Sequence, residues 1–112
     1  MTSPDAATPT LPGSPTELVW FVEATYAPDG AEIRTPFRPE HLATAAARLA
    51  AGQYLLVGAY ADVSSSVIVV RAETEAEALA IVGDDVYLRN GVWVELRARQ
   101  FGAVRAPAAG GS

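Results

Sequence analysis

The sequence predicts an α+β domain, in which one four-stranded antiparallel sheet carries both of its helices on the same face. Three observations lead there. Four short segments are rich in β-branched and aromatic residues and alternate in the direction of their side chains. Two segments rich in Ala, Leu and Glu fall between the first and second of these and between the third and fourth. Clusters of Gly, Pro, Asp and Ser punctuate the chain between them.

The elements follow in order. "ELVWFVEATY" (17–26) reads as strand 1, and "APDGAE" (27–32) carries a Pro-Asp-Gly turn signal. "PEHLATAAARLAAG" (39–52) is helix 1: Pro39 suits a first turn, Ala and Leu favour helix, and Gly52 stops it. "QYLLVGAY" (53–60) is strand 2, "ADVSS" a turn, and "SVIVVRA" (66–72) strand 3. Helix 2 begins near Thr74, where the Thr74–Glu77 spacing fits a capping box. It runs through "EAEALAIV" and pauses at "GDD" (83–85), and "VYLRNG" (86–91) adds a short turn. "VWVELRARQF" (92–101) is strand 4. The order βαββαβ is the ferredoxin-like arrangement. Residues 1–15, rich in Pro, Thr, Ser and Ala, read as a disordered leader, residues 16–105 as the domain, and 106–112 as a flexible tail.

Strict alternation then assigns faces. Leu18, Trp20, Val22 and Ala24 share one face of strand 1, with Val19 and Phe21 on the other. Strand 2 sets Leu55 and Val57 against Tyr54, Leu56 and Tyr60. Strand 3 splits Val67 and Val69 from Ile68 and Val70, and strand 4 separates Val92, Val94 and Leu96 from Trp93 and Phe101. Both faces are therefore apolar, whereas an antiparallel sheet with one wet face alternates between apolar and polar. Two helices cover one face, and a second copy of the chain is the expected cover for the other. The expectation is a homodimer joined sheet to sheet. The alternative is a monomer whose leader folds back over the sheet.

Composition narrows the function. The net charge is −5 and the eight basic residues, all Arg, are scattered, which argues against nucleic acid or an anionic membrane as partner. The absence of Cys excludes disulfides, thiolate nucleophiles and Cys metal sites, and a lone His excludes a His-rich one. No apolar run approaches the ~20 residues that cross a bilayer, and the N-terminus lacks the pattern of a signal peptide. The reading is a cytoplasmic protein acting on a small molecule, with no metal and no cofactor.

The residues able to do chemistry are few. His41 is the only imidazole, at the start of helix 1, where the helix dipole favours its neutral form. Asp84 and Asp85 lie at the end of helix 2, where the dipole disfavours carboxylates, so they serve either a turn or a function. The two helices lie side by side, which permits a His–Asp contact. Arg34 and Arg38 flank helix 1 and suit a carboxylate or phenolate. Arg97 and Arg99, assigned to the same face as Trp93 and Glu95, read as interface rim or ion-pair partners. Tyr26, Tyr60, Tyr87 and Trp20 are candidates to line a pocket, or else core.

"RPEHL" (38–42), "GQYLLVGAY" (52–60), "VIVVRAETEAEALAIVGDDVYLRNGV" (67–92) and "RQF" (99–101) together resemble the YCII-related family, over roughly residues 17–104. Its pattern is Arg-x-x-His-Leu, Gly-x-Leu-Leu-x-x-Gly, a Val/Ile strand, a Glu/Ala-rich helix, Asp-Pro-Tyr, and a last strand ending in Phe. The resemblance implies a dimeric α+β barrel and a His–Asp acid/base pair, at His41 and Asp85. One branch of the family removes halide from a hydroxylated aromatic ring. Arg38 matches the Arg of Arg-x-x-His, and Tyr87 the Tyr of Asp-Pro-Tyr. The Pro of that motif is Val86 here, which leaves Asp84 as an alternative partner for His41.

The expected activity is cofactor-free proton transfer on a small cyclic or aromatic metabolite, as a lyase, dehydratase or isomerase. His41 and Asp85 would be catalytic, and Arg34, Arg38, Tyr87, Trp20 and Tyr60 would bind substrate. The alternatives are a non-catalytic ligand-binding or accessory protein, and a cofactor-independent monooxygenase of the dimeric barrel type.

Overall fold

The computed structural model describes residues 16–104. The proposed leader and tail lie outside the described residues. The chain runs β1 (Thr16–Tyr26), α1 (Gly30–Ile33), a 3-10 turn (Thr35–Phe37), α2 (Arg38–Ala50), β2 (Tyr54–Ala59), β3 (Ser65–Val70), α3 (Glu75–Gly83), α4 (Val86–Arg89) and β4 (Trp93–Val104). The four strands form one antiparallel sheet in the order β2-β3-β1-β4. This is the α+β fold expected from the sequence, with two short helices added where turns were expected.

Local chemistry sets the boundaries. Gly52, at φ +78°, ends α2: its N–H reaches Leu49 O at 3.1 Å and the Gln53 N–H reaches Arg48 O at 3.0 Å, which together make a Schellman closure. Thr74 caps α3 by accepting from Glu77 N–H at 3.1 Å. The returning Glu77 carboxylate takes the N–H of Glu73 rather than that of Thr74, one residue short of a capping box. Gly30 opens α1 pressed against β1, where a side-chain Cβ would stand 2.7 Å from Tyr26 Cδ2.

Two bulges correct the face assignment made by alternation. Across β1 and β4, Thr25 pairs with Glu95 but Tyr26 pairs with Trp93, so Val94 is the extra residue. Trp93 is thereby turned to the helix side and is 1 % exposed, while Glu95, Arg97 and Arg99 stay on the opposite face. Across β2 and β3, Tyr54 pairs with Val70 and Leu56 with Val69, so Leu55 is extra and Tyr54 joins Val57 on the helix side. The core lies between the sheet and the helices, around Val22, Ala24, Ile68, Val70, Val82 and Trp93.

Among the described residues, no helix lies on the other face. Phe21 and Phe101 stand on it with ring centroids 5.5 Å apart, and Leu56 is exposed there. Arg97 bridges to Glu23 at 3.1 Å, as an ion-pair partner. Among the described residues, no helix is long and apolar enough to cross a membrane.

Candidate active site

Asp85 sits where α3 ends and α4 begins. Its backbone is extended (φ −67°, ψ 142°), and Oδ1 accepts the Tyr87 N–H at 2.8 Å, capping α4. The same carboxylate faces His41, whose Nδ1 lies 2.9 Å from Oδ2 and 3.0 Å from Oδ1. One side chain thus does both jobs that the sequence offered as alternatives, turn cap and imidazole partner. Toward a carboxylate, which accepts, Nδ1 is the donor, and Nε2 is the ring nitrogen left free of Asp85. Both residues are buried. Asp84 points outward and pairs with Arg48 at 3.6 Å, so the acid beside His41 is Asp85.

Aromatic rings fix the imidazole. Tyr87 stacks on it, with centroids 3.9 Å apart and planes 9° from parallel. Trp93 meets both rings edge-on, at 5.4 Å from each. Tyr26 stands edge-on to Tyr87 at 6.1 Å and to Trp93 at 6.5 Å. Such contacts add to area burial, at about 0.5–1.5 kcal/mol per pair. Four rings from α2, α4, β1 and β4 therefore hold one another.

His41 lines a cavity of about 190 Å³ between α2 and the helix side of the sheet. Helix α2 contributes Arg38, His41 and Leu42, which share one helix face by their i, i+3, i+4 spacing. The segment Val57–Ala59 of β2 forms a second wall, and Tyr26, Ser66, Tyr87 and Arg34 complete the lining. Neither Arg34 nor Arg38 makes an ion pair with another described residue. Burial pushes the Tyr87 phenol above its ordinary value and Tyr26 adds to the rise, while Arg34, Arg38 oppose it. Ser66 Oγ donates to the Tyr26 hydroxyl at 3.2 Å. Among the described residues, no group of three or more His, Asp or Glu is placed to hold a metal.

Of the residues singled out in the sequence, His41, Asp85, Arg34, Arg38 and Tyr87 come together here. Trp20 and Tyr60 do not. Trp20 is six residues from Tyr26 along β1, about 20 Å at ~3.3 Å per residue, and its indole N–H donates to the Ala72 carbonyl at 3.1 Å. Tyr60 follows Ala59, which faces the helices, so Tyr60 faces away and is 48 % exposed. The cavity also opens on the helix side, not within a barrel between two sheets. Ser66 was not singled out, although a signal existed: a serine on the core parity of strand 3, in line with Ile68 and Val70. Trp93 was hidden by its bulge.

The profile of the YCII-related domain matches residues 19–102. A search of curated proteins returned no match. A solved structure, the 5-chloro-2-hydroxyhydroquinone dehydrochlorinase of Burkholderia phenoliruptrix AC1100 in complex with 2,5-dihydroxybenzoquinone, has a similar fold. It aligns at a TM-score of 0.64 and 16 % identity, over 74 % of this chain and 92 % of that one.

Proposed function

This chain belongs to the YCII-related family, and on that premise we propose that it is a small enzyme catalysing acid–base proton transfer on a single-ring keto or enol metabolite. The observation that carries this reading is the His41–Asp85 hydrogen bond at 2.9 Å, with His41 lining a cavity that also holds the guanidiniums of Arg34 and Arg38, without ion-pair partners among the described residues. A dry cavity of about 150 Å³ accommodates benzene, so the 190 Å³ beside His41 suits one substituted ring. The similar dehydrochlorinase names a hydroxylated ring as its substrate and a dihydroxyquinone as its ligand, which is the chemistry we carry over.

The step needs only side chains of this chain. Nε2 of His41 takes a proton from a carbon next to a carbonyl, the C–H bond breaks, and its electron pair moves onto the carbonyl oxygen as an enolate. Asp85 stabilises the imidazolium that forms, and Arg34 and Arg38 offset the charge on oxygen. Return of the proton to another carbon completes an isomerisation, and expulsion of a leaving group from the adjacent carbon completes an elimination. A cavity-lining imidazole hydrogen-bonded to a buried carboxylate behind it also weighs against the accessory-module alternative, which needs no such pair.

The test uses 2,5-dihydroxybenzoquinone in deuterium oxide. Its ring C–H exchanges only through a tautomer protonated at that carbon, so exchange followed by proton NMR reports transfer to and from carbon. The protein should accelerate exchange, and His41→Ala should remove the acceleration while keeping the circular dichroism of the fold. Equal acceleration by His41→Ala would end this reading.

We further propose a homodimer through the sheet face that carries Phe21, Leu56 and Phe101. Leu56 and Phe101, exposed on a face that carries no helix among the described residues, support it.

A further inference from the structure

We infer that the hydroxyls of Tyr26 and Tyr87 form a donor pair for one ring oxygen of the ligand, so that the site selects planar rings bearing a carbonyl or enolate oxygen. This rests on the acid–base reading of His41 and names the recognition that goes with it.

The first observation is an unmet donor. Tyr87 is 1 % exposed, and its hydroxyl has no hydrogen-bond partner among the described residues. Leaving a buried hydroxyl unpaired costs stability, and groups of this kind in native proteins call for another use. The oxygen is sealed from solvent while the ring lines the cavity, so a bound ligand that turns the ring toward itself can supply the acceptor. Burial holds the phenol protonated, which makes it a donor at neutral pH.

The second observation is directional. Ser66 Oγ lies 3.2 Å from the Tyr26 oxygen and can serve as the donor of that bond, which frees the Tyr26 proton for a ligand. Tyr26 lines the same cavity, and its ring stands edge-on to Tyr87 at 6.1 Å. Tyr87 stacks on the imidazole and meets Trp93 edge-on beside that stack, and Gly30 lies against Tyr26.

The third observation is the character of the lining. It contains two guanidiniums and three hydroxyls but no carboxylate. A wall of donors wants an acceptor. Guanidiniums answer net charge over several ångströms, whereas phenols answer a single oxygen at hydrogen-bond range. When His41 removes the carbon proton, the electron pair arrives on that oxygen, and the two phenol bonds strengthen as its charge grows.

The test is titration of the same dihydroxyquinone, followed by its visible absorption, with exchange measured in parallel. Tyr87→Phe keeps the ring and its stacking and deletes a hydroxyl with no protein partner. It should therefore bind the quinone about 10- to 100-fold more weakly while its melting temperature stays level or rises. A merely structural tyrosine would not give that combination. Tyr26→Phe should weaken binding by a similar factor. His41→Ala should lose exchange even at saturating quinone, whatever the loss of the ring stacked on Tyr87 does to affinity. Unchanged binding by Tyr87→Phe, or no saturable binding by the unaltered protein, would overturn the donor pair. Exchange that persists in His41→Ala would instead overturn the acid–base reading and leave the donor pair standing.

Discussion

Trp93 lies opposite Tyr26 across β1 and β4, one residue out of the register that pairs Thr25 with Glu95. That slip decides which face of the sheet receives the indole. Without it, Trp93 would share a face with Glu95 and Arg97, and the edge-on support of His41 and Tyr87 would be gone. Deleting Val94 should leave Trp93 opposite Tyr26, in the same pairing without a surplus residue, whereas Trp93→Ala should empty its place in the core. The expected loss in urea-unfolding free energy is about 3–5 kcal/mol, the range for removing a buried Trp. Val94→Ala, at an exposed position, should stay within about 0.5 kcal/mol.

Asp85→Asn separates the cap from the acid. The amide oxygen can still accept the Tyr87 N–H, so stability should fall by no more than about 1 kcal/mol. The neutral amide neither stabilises an imidazolium nor holds Nδ1–H as a carboxylate does. Proton exchange should therefore drop about 100-fold or more, measured on the same quinone.

Val86 stands at the first position of α4, where the backbone N–H needs no helical partner, and Asp85 before it already has the extended conformation that precedes proline. Val86→Pro should be tolerated, with thermal unfolding changed by no more than about 1 kcal/mol and exchange retained. Leu88→Pro, two residues on, deletes the N–H that bonds Asp85 O at 3.1 Å and should cost about 3 kcal/mol.

Alkaline pH should expose Tyr54. Burial pushes its phenol up to about 12, with Arg48 opposing and Asp85 and Asp84 adding. The folded value exceeds the ordinary 10.0, so this contribution is whole below pH 10 and is lost as pH rises toward 12. Denaturant midpoints measured across that window should fall, and Tyr54→Phe should remove on the order of 2 kcal/mol of the decline.

Sedimentation velocity at micromolar concentration should show two chains together. Phe101→Glu places a charge on the uncovered face beside Phe21 and should yield folded single chains with unchanged circular dichroism.

Much of this was readable because periodicity reports the faces of regular strands. Val22 and Ala24 fell on the core side as alternation required, and Ile68 and Val70 likewise. The Arg-x-x-His-Leu pattern grouped Arg38 with His41 before any coordinates, although helix 1 was expected to begin at Pro39 with Arg38 flanking it. The bulges were not readable. Nothing in "LRNGVWVEL" marks Val94 as the surplus residue, because a bulge is chosen by the packing of the indole against partners distant in sequence. The cavity's place on the helix side was hidden for the same reason: it depends on how far α2 stands off β2, which is a sum over side chains rather than a pattern in them.

Gly30 has a reach beyond its own turn. A methyl group added there would collide with the Tyr26 ring and tilt it, so a loop outside the sheet sets the aim of a phenol inside the pocket. Relatives that carry a larger residue at this position would have to re-seat that ring, and their choice of ligand would drift with a residue no ligand ever meets.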